Sequence, residues 1–375
     1  MKEDYEKMKV GILSMQQIDN FGSLLQSYAL KTTIEKLGNE VEFIDIKKRN
    51  EDYKLLGNYK QEYHEEREKD GLLGKISKFD RYTINRLKIK RKSVEQGFAF
   101  DEFREKYLNI NEKSSQYDLC VIGSDEVFNC LNSGAWGFTS QLFGNVPEAN
   151  KVITYAASCG STKYEELPEK VAEKIRKSFE NVATFSVRDE NTHKFVRKLT
   201  DKLIDDNLDP VLIYNFDCEV EQATLPKMPK HYCVVYSYYN RIHTAEEINA
   251  IKGFCKRHKL TPIAIGAPQF WIKDYIVCSP FQCLRIFKEA DFVITDTFHG
   301  TIFASKYADR FAVLARSSNR NKLLDLVGKI KMKDHLMCKI TELDEKYDLL
   351  KNKENIASIV EMETQRTIQY LRSNI

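Results

Sequence analysis

Along most of the chain, short apolar runs bounded by turn residues alternate with longer stretches whose apolar positions recur at helical spacing. "MKVGILS", Met8 to Ser14, predicts a buried strand; a loop with Asn20 and Gly22 follows, then a helical pattern through Leu37. "GNEVEFIDI" stops that helix at Gly38 and opens a second strand. Strand, helix and strand in this order make a parallel-sheet unit, with a Gly-containing turn where such sheets bind ligands. Further strands are predicted at "YDLCVIGSD", "KVITYAAS" and "VATFSVRD", with a helix over Pro168–Phe179 before the last. The pattern then repeats in kind: "HYCVVYSY", a helix over Ala245–His258, "TPIAIG", "FVITD" and "RFAVLA". This predicts an α/β protein of two domains, 1–205 and 206–375, with the linker near Asp206–Pro210 and a charged helical tail from Glu342.

Between the second strand and "YDLCVIGSD" the strand signal stops, and a polar helical insert at about 50–112 takes its place. Its core, "GKISKFDRYTINRLKIKRKS", carries Lys75, Lys78, Arg81, Arg86, Lys88, Lys90, Arg91 and Lys92 against one acid, Asp80. Ile76, Phe79, Tyr82, Leu87 and Ile89 are interleaved. Such a stretch is either a solvated helical face or a basic amphipathic helix lying on an anionic membrane surface. Over the whole chain, 58 basic residues against 55 acidic ones leave a net charge of +3, which gives no case for nucleic acid. No run approaches the roughly 18 apolar residues of a spanning helix, and the start "MKEDYEKMKVGILSM" has no signal-like apolar region. A cytoplasmic protein is expected, any membrane contact being peripheral, on the inner face, through residues 75–92. Nine cysteines without a CxxC pair, with Cys120, Cys159 and Cys233 in apolar strands, read as reduced core residues; no metal-ligand spacing is present.

"DFVITDTFHGTIFASKYADRFAV", Asp291 to Val313, places His299 where a strand turns into a helix. Either His299 is a surface or capping residue of a tight turn, or the turn binds an anion with its unpaired helix amides. Two Rossmann-like domains facing a cleft resemble the B-type glycosyltransferase architecture, a likeness of fold that carries no chemistry by itself.

Seven pieces in order make the resemblance specific: "DNFGSLLQSYAL", "DLCVIGSDEVFN", "KVITYAASCG", "FSVRDENT", "LDPVLI", "CSPFQCLRIFKEADFVITDTFHGTIFASKYADRFAV" and "NRNKLLDLVG". Together they resemble the polysaccharide pyruvyl transferase family from about Lys9 to Lys329, the basic insert excluded. The resemblance implies transfer of the enolpyruvyl carbons of phosphoenolpyruvate onto two hydroxyls of one sugar, giving a pyruvate ketal and phosphate, with no cofactor besides that co-substrate. The family's proposed acid is the histidine of its FHG-like motif, here His299. Histidine suits the role because its ordinary pKa of about 6.5 leaves a usable protonated fraction near neutrality.

The donor carries a phosphate and a carboxylate, which guanidinium groups bind well. Arg188 in "SVRDE" is similar to the family's donor arginine, and could otherwise be a surface ion pair with Asp189 or Glu190; Arg320 and Arg316 are further candidates. Gly300 would let backbone approach the ligand, and amides of a helix starting near Thr301 would hold phosphate. Some branches of the family place an arginine at the position of Thr297, and a hydroxyl cannot replace its charge. On the acceptor side, Asn20, Gly22, Ser23 and Gln26 in the first turn and helix, with Gly123 and Ser124 at the end of the third strand, could bind sugar hydroxyls; Asp125 is either the base for the attacking hydroxyl or a helix-capping residue. Trp136 is either a sugar platform or a packing residue. The acceptor would be a nucleotide-linked or lipid-diphosphate-linked sugar of capsule, exopolysaccharide or cell-wall glycan assembly. The competing classes are a nucleotide-sugar-dependent glycosyltransferase of the same architecture and a non-catalytic glycan-assembly protein.

Overall fold

A computed structural model describes residues 7–47, 50–56, 83–111, 113–131, 137–316 and 319–375. It contains two six-stranded sheets in which every pairing is parallel. The first has the order β2-β1-β3-β4-β5-β6, from β1 (Lys9–Leu13), β2 (Glu40–Phe43), β3 (Tyr117–Asp125), β4 (Ala149–Ala157), β5 (Val182–Val187) and β6 (Ile204–Asp206). The second runs β12-β11-β10-β7-β8-β9, from β7 (Tyr232–Ser237), β8 (Thr261–Gly266), β9 (Asp274–Tyr275), β10 (Phe292–Thr295), β11 (Phe311–Leu314) and β12 (Leu336–Met337). The longer helices are α1 (Phe21–Lys36), α2 (Thr83–Phe103), α3 (Glu169–Phe179), α4 (Glu190–Arg197), α5 (Ala245–Arg257), α6 (Pro280–Lys288), α7 (Phe298–Tyr307), α8 (Arg320–Lys329) and α9 (Lys353–Asn374). The expected α/β class with two facing sheets is what the chain forms. Central strands such as β7 are buried at every residue, as sheets covered by helices on both faces require.

Each sheet has one place where the strand order reverses. In the first, β1 is flanked by β2 on one side and β3 on the other; in the second, β7 is flanked by β8 and β10. The crevice outside the strand C-termini at such a reversal is where open α/β sheets bind ligands. One apolar cluster runs through both domains. It joins Phe21 of α1, 4.8 Å from Phe100 of α2, to Tyr236 of β7 and Phe303 of α7.

The described part of the basic insert is α2. Ile89, assigned to its apolar side, is buried in the core of the second sheet. Lys92 Nζ donates to the Tyr275 carbonyl at 2.6 Å, and Gln96 exchanges two hydrogen bonds with the Cys278 backbone at 2.9 and 3.1 Å. Lys75 to Tyr82 lie outside the described residues. Among the described residues no helix is long and apolar enough to cross a membrane. The nine cysteines are free thiols, and Cys120, Cys159 and Cys233 are buried as expected. Helix α9 returns to the first sheet, where Tyr370 Oη donates to the Thr154 carbonyl at 2.7 Å and Lys151 Nζ to the Asn374 carbonyl at 2.6 Å.

Candidate functional site

The turns at the two reversal points meet at His299, which packs against Gly22 at the start of α1. From the first domain, Asn20 caps α1 by accepting the Gly22 amide at 2.7 Å. Strand β3 ends in Gly123, at φ +123, where an added Cβ would overlap the Tyr155 carbonyl oxygen, and in Asp125, at φ +71. From the second domain, Thr297 caps α7 by accepting the Gly300 amide at 3.0 Å, so His299 is the second residue of that helix. The imidazole lies directly on the first turn of α1: a Cβ added to Gly22 would overlap it. Glycine is required there by the close approach of a side chain from the opposite domain.

A polar chain backs His299. Its Nε2 lies 3.5 Å from Asp209 Oδ2. Arg188 Nη1 donates to the same oxygen at 2.6 Å and Arg188 Nη2 to Asp125 Oδ1 at 3.3 Å. Ser23 Oγ closes the chain by donating to Asp125 Oδ2 at 2.7 Å. Asp209 also caps the short helix Pro210–Ile213 by accepting the Val211 amide at 3.0 Å. Burial alone would raise the Asp209 pKa, but His299 and Arg188 outweigh it and hold the carboxyl at about 2. For Arg188, burial works against the charge, and Asp209 and Asp125 reverse the balance, leaving its pKa raised. Arg188 is 3% exposed, and its Nε has no hydrogen-bond partner among the described residues.

The guanidinium carbon of Arg188 lies 4.4 Å from the centre of the Phe298 ring, and Lys322 Nζ of α8 lies 5.1 Å from it. Lys322 forms an ion pair with Glu126, in the loop after β3, and Asn129 Nδ2 donates to the same carboxylate at 2.6 Å. Burial would raise the Glu126 pKa; Lys322 and Arg188 bring it to about 2. A second link from α8 runs from Lys329 Nζ to the Arg188 carbonyl at 2.8 Å.

The structure thus brings His299, Asp125, Arg188, Gly22 and Ser23 together. Asp125 is neither exposed nor a helix cap, and Arg188 pairs with neither Asp189 nor Glu190 but with Asp125 and Asp209. Other residues of the expected site turn inward. Helix α7 starts at Phe298, before Thr301, so the Gly300 amide goes to Thr297 and the Thr301 amide and hydroxyl go to the Thr297 carbonyl at 3.1 and 2.8 Å. Helix geometry leaves the amides of Phe298 and His299 without intrahelical acceptors. The missing Cβ of Gly300 faces Thr295, Thr297 and Tyr236, so this glycine serves packing of α7 on the sheet, which corrects its reading as a point of ligand approach. Thr297 is 4% exposed and occupied as a cap. Gln26 and Ser124 are fully buried and bonded to each other at 2.6 Å, which removes them from an acceptor's reach. Arg316 is tied to Asp296 at 2.5 Å and Glu247 at 2.7 Å, while Arg320 is exposed at the start of α8 and makes no ion pair with this cluster among the described residues. Trp136 lies outside the described residues. Asp209, Glu126, Phe298 and Lys322 stood inside the quoted pieces but were not singled out. The Asp-Pro pair of "LDPVLI" is a helix-start signal that could have marked Asp209. Tyr238 and Tyr239, 50% and 63% exposed, follow β7 at the same edge.

Two parallel sheets of this kind, meeting at their reversal points, define a B-type glycosyltransferase-like α/β protein. The UDP-N-acetylglucosamine 2-epimerase of Rickettsia bellii has the same fold, with a TM-score of 0.50 at 11% identity over 98% of each chain. The UDP-GlcNAc 2-epimerase of Methanocaldococcus jannaschii, in complex with UDP-GlcNAc and UDP, matches over 96% of this chain and 100% of its own, at 11% identity and a TM-score of 0.46. The calicheamicin glycosyltransferase CalG4 matches over 99% and 98% of the two chains, at 10% identity and a TM-score of 0.43. No curated protein matches the chain. The family model for polysaccharide pyruvyl transferases matches residues 20–318, and the chain belongs to that family.

Proposed function

We propose that this transferase moves the enolpyruvyl carbons of phosphoenolpyruvate onto two hydroxyls of one sugar, with His299 as the general acid. The carrying observation is that His299, its side chain 12% exposed, sits at the meeting of both reversal points with Asp209 against its Nε2. In this reading, His299 protonates the methylene carbon, C2 becomes an oxocarbenium-like electrophile, and one sugar hydroxyl adds to it with loss of its proton. The second hydroxyl then displaces phosphate to close the ketal, so each proton given is recovered. Asp209 keeps the imidazolium paired and oriented between the two steps. Asp125 is the candidate acceptor for the hydroxyl proton. Arg188 fixes both carboxylates. The two amides at the start of α7 favour negative charge beside the acid. Tyr238 and Tyr239 offer faces for an acceptor sugar, nucleotide-linked or lipid-diphosphate-linked, in capsule, exopolysaccharide or cell-wall glycan assembly. Peripheral membrane contact would use parts of the 75–92 stretch other than Ile89 and Lys92, which are engaged with the second domain.

The test is calorimetry with phosphoenolpyruvate beside a panel of uridine and guanosine diphosphate sugars. Saturable phosphoenolpyruvate binding, followed by release of phosphate with an acceptor present, is the expected result. Nucleotide-sugar binding with no response to phosphoenolpyruvate would replace this reading by a glycosyltransferase. Glycan binding with His299 dispensable would replace it by a non-catalytic assembly protein.

A further inference from the structure

The charge around His299 is poorly matched to an anionic donor in the arrangement described, and the mismatch singles out one side chain. Three carboxylates, Asp125, Asp209 and Glu126, face two permanent cations, Arg188 and Lys322. Arg188 is committed, with both terminal nitrogens bonded and its side chain 1% exposed. Arg316 is committed to Asp296 and Glu247. Lys322 differs from both in that its ion pair is with one carboxylate, which comes from the opposite domain, and unlike Arg188 it is partly exposed, at 21% of its side chain. Its ammonium lies against the ring of Phe298, the immediate neighbour of His299.

We propose that Lys322 is the binding residue for an oxyanion of the donor, and that Glu126 occupies its ammonium as an internal stand-in that the donor displaces. The identity of the donor rests on the reading above; the anion position does not. The pair holds the Glu126 carboxyl well below the ordinary carboxylate range, so only a ligand of greater negative charge displaces it. A phosphate brings more charge and more acceptor oxygens to the same ammonium. Asn129, hydrogen-bonded to Glu126 in the same loop, gives the displaced carboxylate a partner on its own domain. The assignment also accounts for Thr297: with that position buried as a cap, the cation beside the acid comes from α8. Selectivity follows, because a ligand without negative charge at that end cannot compete with Glu126.

The experiment is calorimetric titration of the full-length protein with phosphoenolpyruvate and, separately, with inorganic phosphate, for the wild type, Glu126→Gln, Lys322→Gln and the double variant. Glu126→Gln should bind both anions roughly tenfold tighter, a sign of change that loss of a merely structural contact would not give. Lys322→Gln should bind both anions more weakly than the wild type, and the double variant should show no gain from the Glu126 change. Glu126→Asp, which keeps the charge on a shorter arm, guards against misfolding of the glutamine variant and should bind with intermediate affinity. Equal affinities in wild type and Glu126→Gln, or no binding of either anion by any variant, would overturn the proposal. Tighter phosphate binding in Glu126→Gln without phosphoenolpyruvate binding would uphold the anion site and remove phosphoenolpyruvate as the donor.

Discussion

At the first reversal point the polar side chains bond mainly to one another; at the second they reach into the opposite domain. Around β1 and β3, Ser14, Gln26, Ser27 and Ser124 form a fully buried network, with Gln26 Nε2 donating to Ser14 Oγ at 2.8 Å and to Ser27 Oγ at 3.0 Å. Around β7 and β10, His299 rests on Gly22 and Asp209, and Lys322 of the following helix reaches Glu126. A buried network that is fully bonded fixes its members in one arrangement. Contacts that cross between domains are remade whenever the domains shift. The first point is therefore a bonded wall, and in the proposed reaction the second supplies the acid, His299.

The strongest way to break this contrast is His299→Ala. Turnover should fall by about 10²–10⁴-fold while phosphoenolpyruvate affinity changes little, because an acid acts in the transition state. Steady-state kinetics paired with calorimetry checks this, and retained turnover would leave the second point without its central group. Next is Gly22→Ala, whose new methyl must push the imidazole or α1 aside, an overpacking cost of about 1–3 kcal/mol. Denaturant melts and kcat should both fall; an unchanged kcat would mean that His299 needs no seat on the wall. Gln26→Leu should cost a similar 1–3 kcal/mol by stranding its buried partners, yet leave acceptor KM unchanged. A raised KM with unchanged stability would move Gln26 from wall to binding site.

The acid limb is a further test. Asp209 is held at about 2, below its ordinary value of about 4, so its contribution is fully present above pH 4 and is lost as the pH falls through 2. About 2 kcal/mol of stability should disappear over that window, and Asp209→Asn should flatten that part of the profile. The smallest effect is expected from Arg320→Ala: less than about 0.5 kcal/mol in stability and no change in donor affinity, as for an exposed side chain outside the cluster.

Strands with several consecutive apolar residues were legible because burial on both faces leaves a continuous signal: β3 over Tyr117–Asp125 and β8 over Thr261–Gly266 fall where the pattern put them. β6, β9 and β12 did not stand out, since "IDD", "DY" and "LM" are too short to carry a period. In the site, His299 and Arg188 were visible through their motifs, and the partners that hold them were not. Asp209 and Glu126 act through distances across the cleft, and nothing local in "LDP" or "SDE" encodes those distances. Gln26 and Ser124 misled for the opposite reason: their chemistry suits a sugar, but the packing of α1 against β3 turns them on each other. Thr297 was read as a missing charge, whereas its hydroxyl is the cap that sets where α7 begins.

The return of α9 to the first sheet bears on how the protein is made. Tyr155 of β4, fully buried, meets Thr367 Oγ1 at 2.9 Å, and Tyr370 covers the neighbouring Thr154 carbonyl. On the ribosome the first domain emerges well before those residues, so it waits with that face open until α9 has been synthesised. Emergence of α9 is then the event that seals it, and a chain stopped before Thr367 presents an uncovered sheet face to chaperones and proteases.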